Sequence, residues 1–159
     1  MDDFVLARVV HVLGVVLWIG GVAFVTLVLL PALRRQLQAG QNVENPAVLF
    51  ERLGGRFAWQ ARLTTLLTGA SGLYMLYVLD AWDRYGDPGQ WWLWAMTVIW
   101  LIFTLMLFVF EPLFLHRWFE ARARDKPAST MALIQRLHWV LLTASLITVA
   151  GAVAGSHGG

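Results

Sequence analysis

Cysteine is absent from the 159-residue chain, which excludes disulfides, thiolate metal centres and thiol catalysis. A bound metal or cofactor would have to be held by histidine, methionine, arginine, a carboxylate or backbone. Charge is scarce, only 14% of residues being Asp, Glu, Lys or Arg. The stretch 101–110, LIFTLMLFVF, has no polar stripe, so a helix there has no face to turn to water. The start, MDDFVLARVVHV, has two acids where a signal peptide carries a basic region, and the run behind it lacks a small-residue cleavage site. Helix 1 is therefore expected to stay in the mature protein. Glycine-rich phosphate loops, HExxH, nucleophile elbows and paired intramembrane carboxylates are also missing, which leaves hydrolytic catalysis without a basis.

What the chain has instead is long apolar runs. Hydrophobic residues make up 58% of it and the mean hydropathy is +0.62, well away from the average soluble domain. Roughly twenty apolar residues in a helix cross a hydrocarbon core about 30 Å thick. Runs 9–33 and 91–115 exceed that length, and runs 63–79 and 137–154 come close to it. The fold class expected is all-α, an integral-membrane four-helix transmembrane bundle with antiparallel up-down helices. It is read as one domain, 1–159, with spans at about 9–33, 60–79, 91–115 and 137–154.

The basic residues set the orientation. Arg34, Arg35, Arg52, Arg56 and Arg62 flank the first connection, and Arg117, Arg122, Arg124, Lys126 and Arg136 flank the third. The positive-inside rule puts both connections in the cytoplasm and both termini outside, in the inner membrane of a bacterium. The pI near 9.5 has this topological cause, so no nucleic-acid partner is expected. Asn45-Pro46 predicts a helix start, and the stretch after it reads as an interfacial helix entering span 2 through a bend at Gly54-Gly55. Trp82, Trp91, Trp92, Trp118 and Trp139 lie near span ends, where an aromatic belt would hold them. Gly151 and Gly155 have GxxxG spacing, and Gly14, Gly20, Gly21, Gly69 and Gly72 add small residues to helices 1 and 2. Such residues suit a compact bundle or a homodimer.

Two constellations could carry chemistry. His11 lies about two turns inside helix 1, with Gly14 and Trp18 at i+3 and i+7 on its face. Read this way, Gly14 leaves room for a flat ligand and Trp18 floors the pocket. An ionisable group inside a membrane is a functional candidate by default. In an alternating bundle Met75 and Met96 fall at the depth of His11, and an imidazole with a thioether suits haem iron or copper. The second constellation is His116 and His138 at the inner ends of helices 3 and 4, with Glu111 and Arg62 beside them. It is open to a metal or second haem, or to a structural network.

The run HVLGVVLWIGGVAFVTLVLLPALRR resembles the first helix of the copper-resistance protein D (CopD) family, in which a His precedes W-x-G-G and the helix ends in L-P-x-L. Glu51-Arg52-Leu53, Gly72-Leu73, Trp91 and His116-Arg117-Trp118 are similar to the related HemJ-type protoporphyrinogen oxidases. The resemblance implies haem b or a copper-linked role, with His11 at the position of the helix 1 histidine. The lysine that HemJ-type proteins carry early in helix 3 is absent, Ala95 or Met96 standing there. Their helix 4 Asn-Glu pair is replaced by Leu137 and His138.

Three readings follow. The first is a haem b-binding membrane redox protein that transfers electrons or oxidises a small substrate, with lipid around it and a redox protein or quinone as partner. The second is a copper-handling protein using His11 and methionines. In the third, the chain is a structural accessory subunit of a respiratory complex.

Overall fold

The computed structural model describes residues 2–38, 46–115, 122 and 127–156, and these contain helices and turns but no strand. Helix α1 spans Asp3–Phe24 and is capped by Asp2, whose side chain accepts from the Phe4 amide. A wider π-turn segment, Val25–Leu29, joins it to α2, Leu30–Gln38. Helix α3 spans Pro46–Val78, α4 Trp91–Leu105 and α5 Pro127–Ser156. A second π segment, Met106–Leu115, prolongs α4. The start of α3 at Pro46 is as expected, but α3 is one continuous α-helix through Gly54 and Gly55.

Both π segments have a proline as their cause. Pro31 follows the first and Pro112 lies inside the second, and a proline has no N–H to continue the regular ladder. In the i→i+5 pattern, the residue whose N–H would reach the Leu107 carbonyl is Pro112. Arg62 on α3 donates there instead, from Nε at 3.2 Å.

The rods alternate in direction. Gly14 meets Thr68 and His11 meets Gly72, while Phe24 stacks on Phe57 with ring centroids 5.4 Å apart, so α1 and α3 run antiparallel. Gly69 faces Trp100 and Arg62 faces Leu107, which sets α4 antiparallel to α3. Trp91 and Trp92 sit on Gly151 and Gly155, and Arg34 donates to Gln135. Helix α5 therefore runs antiparallel to α4 and to α1. The up-down order places the start of α1 and the end of α5 at one end of the bundle. At the other end Leu29, Leu30, Leu33, Met131 and Ile134 form a small apolar cluster. The GxxxG glycines of α5 are thus occupied by tryptophans of the same chain rather than offered to a second copy.

The packing is that of a lipid-facing protein. Thr26, Thr64, Thr65, Thr68, Ser71, Ser145 and Thr148 are buried, while Val16, Leu17, Val140 and Ile147 are 53–66% exposed. Small residues let backbones approach, and the hydroxyls of Thr26, Thr64, Ser71, Ser145 and Thr148 donate to carbonyls of their own helices. Among the described residues three stretches are long and apolar enough to cross a membrane: Asp3–Gln36, Pro88–Leu113 and Ala128–Gly155. Helix α3 carries the hydroxyl-rich inner face and is not among the three. Trp82, Trp91 and Trp139 are about half exposed. Trp91 and Trp92 both turn their indoles onto α5, at Gly151 and Gly155, and Trp118 lies outside the described residues.

Candidate functional site

His11 stands between α1 and α3, and its position is set from α3. Its Nδ1–H donates to the Thr68 carbonyl at 2.9 Å, and the Ser71 hydroxyl oxygen is 3.3 Å from the same nitrogen. Ser71 O–H is committed to the Leu67 carbonyl at 2.6 Å. A carbonyl can only accept, so Nδ1 carries the proton and Nε2 keeps its lone pair. Nε2 has no hydrogen-bond partner among the described residues. Gly72 makes the arrangement possible, because a Cβ there would lie 3.1 Å from His11 Cε1.

A cavity of about 270 Å³, half-open and almost wholly apolar, lies beside the imidazole. His11, Trp18, Met75 and Met96 all line it, so the structure brings together four of the five residues assigned to this site. Gly14 is the exception. A Cβ on it would collide with Thr68 Oγ1, which means that α3, and no ligand space, fills the gap the glycine leaves. Gly69 and Gly72 of α3 line the cavity, and the space at their own Cβ positions is taken by the Trp100 and His11 side chains. Trp18, buried to 6% exposure, packs edge-on against Phe103 with centroids 4.8 Å apart.

Part of the cavity wall comes from the connection between α3 and α4. Asp80 turns the chain with φ of 46°, and short 3-10 turns at Trp82–Gly86 and Pro88–Gln90 follow. Tyr85 is tied to α4: Thr97 O–H donates to the Leu93 carbonyl, so Tyr85 O–H donates to Thr97 Oγ1 at 2.8 Å. Trp94 Nε1 donates back to the Tyr85 carbonyl at 2.9 Å. Arg84 and Tyr85 line the cavity. Neither was signalled by spacing, because the turn that folds them over α4 rests on long-range hydrogen bonds.

The second constellation is only partly assembled. Arg62 pairs with Glu111, Nη2 to Oε2 at 3.4 Å, beside its bond to Leu107. His138 Nδ1 donates to the Ile134 carbonyl of its own helix at 2.9 Å, a local bond that any α-helix offers. His116 lies outside the described residues. No three His, Asp or Glu side chains converge among the described residues, so a metal in the His11 cavity would rest on one histidine and on thioethers.

Comparison with known proteins adds no assignment: no family model, no curated protein and no solved structure matches the chain.

Proposed function

We propose that this is a four-span protein of a bacterial inner membrane and that its work is done in the His11 cavity, on a small, flat, apolar molecule with redox chemistry. One observation carries the reading: His11, with Nε2 uncommitted, shares the wall of a single apolar cavity with Met75 and Met96. The arginines beside the first and third connections favour the outer half of the membrane for this end of the bundle. Helix α3 is taken as the fourth span, its hydroxyl face turned to the bundle and its apolar residues Leu63, Leu66 and Leu73 outward.

Haem b, which the resemblance implies, meets the donor chemistry but not the room. An apolar cavity of about 150 Å³ takes one benzene ring, so 270 Å³ suits one substituted ring or two fused rings. A four-pyrrole macrocycle would stand mostly outside it. Copper is a second reading, favoured by the two thioethers beside one imidazole. The test is the purified chain itself, analysed by absorption spectrum, metal content and mass spectrometry of extracted small molecules. A ring compound should accompany the wild type and be lost from His11→Ala, with no Soret band. A Soret band or stoichiometric copper that His11→Ala removes would overturn the small-ring reading in favour of that cofactor. A chain that carries nothing, and that His11→Ala leaves unchanged, would support the structural-subunit reading.

A further inference from the structure

We infer that the cavity takes a phenolic acid, an aromatic ring with a hydroxyl at one end that donates to His11 and a carboxylate at the other that Arg84 holds. The inference rests on the reading of the His11 cavity as a ligand site and gives its flat apolar ligand two polar ends.

Almost every donor on the cavity wall is already in use. Tyr85, Thr97, Trp100, Ser145 and Thr148 line the cavity, and each has its donor committed inside the protein, Tyr85 to Thr97 and the other four to backbone carbonyls. Trp18 Nε1, Thr68 Oγ1 and Trp92 Nε1 are sealed by the packing around them, and His11 Nδ1–H is committed to the Thr68 carbonyl. That leaves Arg84. Its side chain is exposed, lines the cavity and makes no hydrogen bond or ion pair among the described residues. The acids of the same connection, Asp80, Asp83 and Asp87, are not on the cavity wall.

The matching acceptor is His11 Nε2. It has a lone pair and no partner, and it is not among the sealed atoms, so a ligand can reach it. It is bonded to Cε1, the ring atom that faces Gly72 on the cavity wall. The turn places Arg84 further along: Ala81 N–H donates to the Leu76 carbonyl at 3.1 Å, and Arg84 N–H to the Ala81 carbonyl at 3.3 Å. The turn is therefore pinned at the level of Leu76, four residues or about 6 Å along α3 from Gly72, and Leu73, Leu76 and Leu79 line that stretch. A guanidinium stays charged and pairs with a carboxylate through two parallel hydrogen bonds, whereas Nε2 needs an O–H from its ligand. Between them the space suits an aromatic body, since about 270 Å³ holds a substituted ring and the thioethers of Met75 and Met96 suit ring edges. A phenolic acid meets all three demands. A fatty acid has the carboxylate but brings no donor to Nε2.

The full chain in micelles of a neutral detergent would be titrated by calorimetry near neutral pH with para-hydroxycinnamate, its methyl ester and cinnamate, each corrected for empty micelles. Cinnamate leaves Nε2 without a donor and should bind about tenfold more weakly than the hydroxy acid. The ester gives up the charge that Arg84 pairs with, and should also bind at least about tenfold more weakly. Arg84→Gln should make acid and ester equal while the preference for the hydroxyl stays. His11→Phe should do the reverse, and melting by circular dichroism would confirm that each variant folds. If His11→Phe does not fold, the three ligands on the wild type and on Arg84→Gln still decide. No binding of the hydroxy acid, cinnamate or the ester binding as tightly as it does, or indifference to Arg84→Gln would each overturn the inference. A haem, a metal or an unrelated ring that leaves with His11→Ala would also overturn it while the cavity still stood as a ligand site.

Discussion

Gly72 and Gly69 show how much a missing methyl can decide. Beside Gly72 stands the His11 imidazole, held at Nδ1 and unable to retreat far. Gly72→Ala should therefore tilt the ring and lower ligand affinity several-fold, with a stability loss of about 1 kcal/mol. Beside Gly69 lies the Trp100 indole, pinned by Nε1 to the Thr65 carbonyl at 2.9 Å. Gly69→Ala should cost about 1–3 kcal/mol, since a rigid ring has to move. Gly20 has open space around its Cβ position, so Gly20→Ala is the control and should stay within about 0.5 kcal/mol. Thermal unfolding in detergent reads all three, and equal losses at Gly20 and Gly69 would refute the packing argument.

At the scale of the element, the π segment of α4 and the arginine of α3 form one unit. Pro112 leaves the Leu107 carbonyl without a backbone donor, and Arg62 supplies one while pairing with Glu111. Arg62→Met should cost about 1–3 kcal/mol by orphaning that carbonyl. In a Pro112→Ala background the new N–H can take over, and the same substitution should cost about 1 kcal/mol less. A double-mutant cycle by thermal unfolding measures the difference. Additive losses would mean that Arg62 acts only through Glu111.

At the scale of the whole molecule, the buried hydroxyls and exposed leucines make sense only with lipid outside. The alternating rods put the described start of α1 and the end of α5 together, and the arginines favour the outer side for that end. A reporter fused after Gly159 should act as periplasmic, and one inserted between Arg34 and Asn45 as cytoplasmic. A cytoplasmic signal from the first would place the His11 cavity in the other leaflet.

Helical class, three of the long apolar rods and the shared depth of His11, Met75 and Met96 are legible in the sequence alone, because hydropathy and helical rise are local quantities. The span expected at 60–79 carries a weaker signal, since the hydroxyls and Arg62 of α3 dilute its apolar run, and α3 is not among the stretches apolar enough to cross a membrane. Only the tertiary structure decided which glycine gives room. Gly14 and Gly72 are alike as letters, yet α3 fills the space at one, and His11 takes the space at the other. Tertiary structure also decided which His11 nitrogen is free. That depends on a carbonyl 57 residues away, and no spacing rule on one helix can reach it.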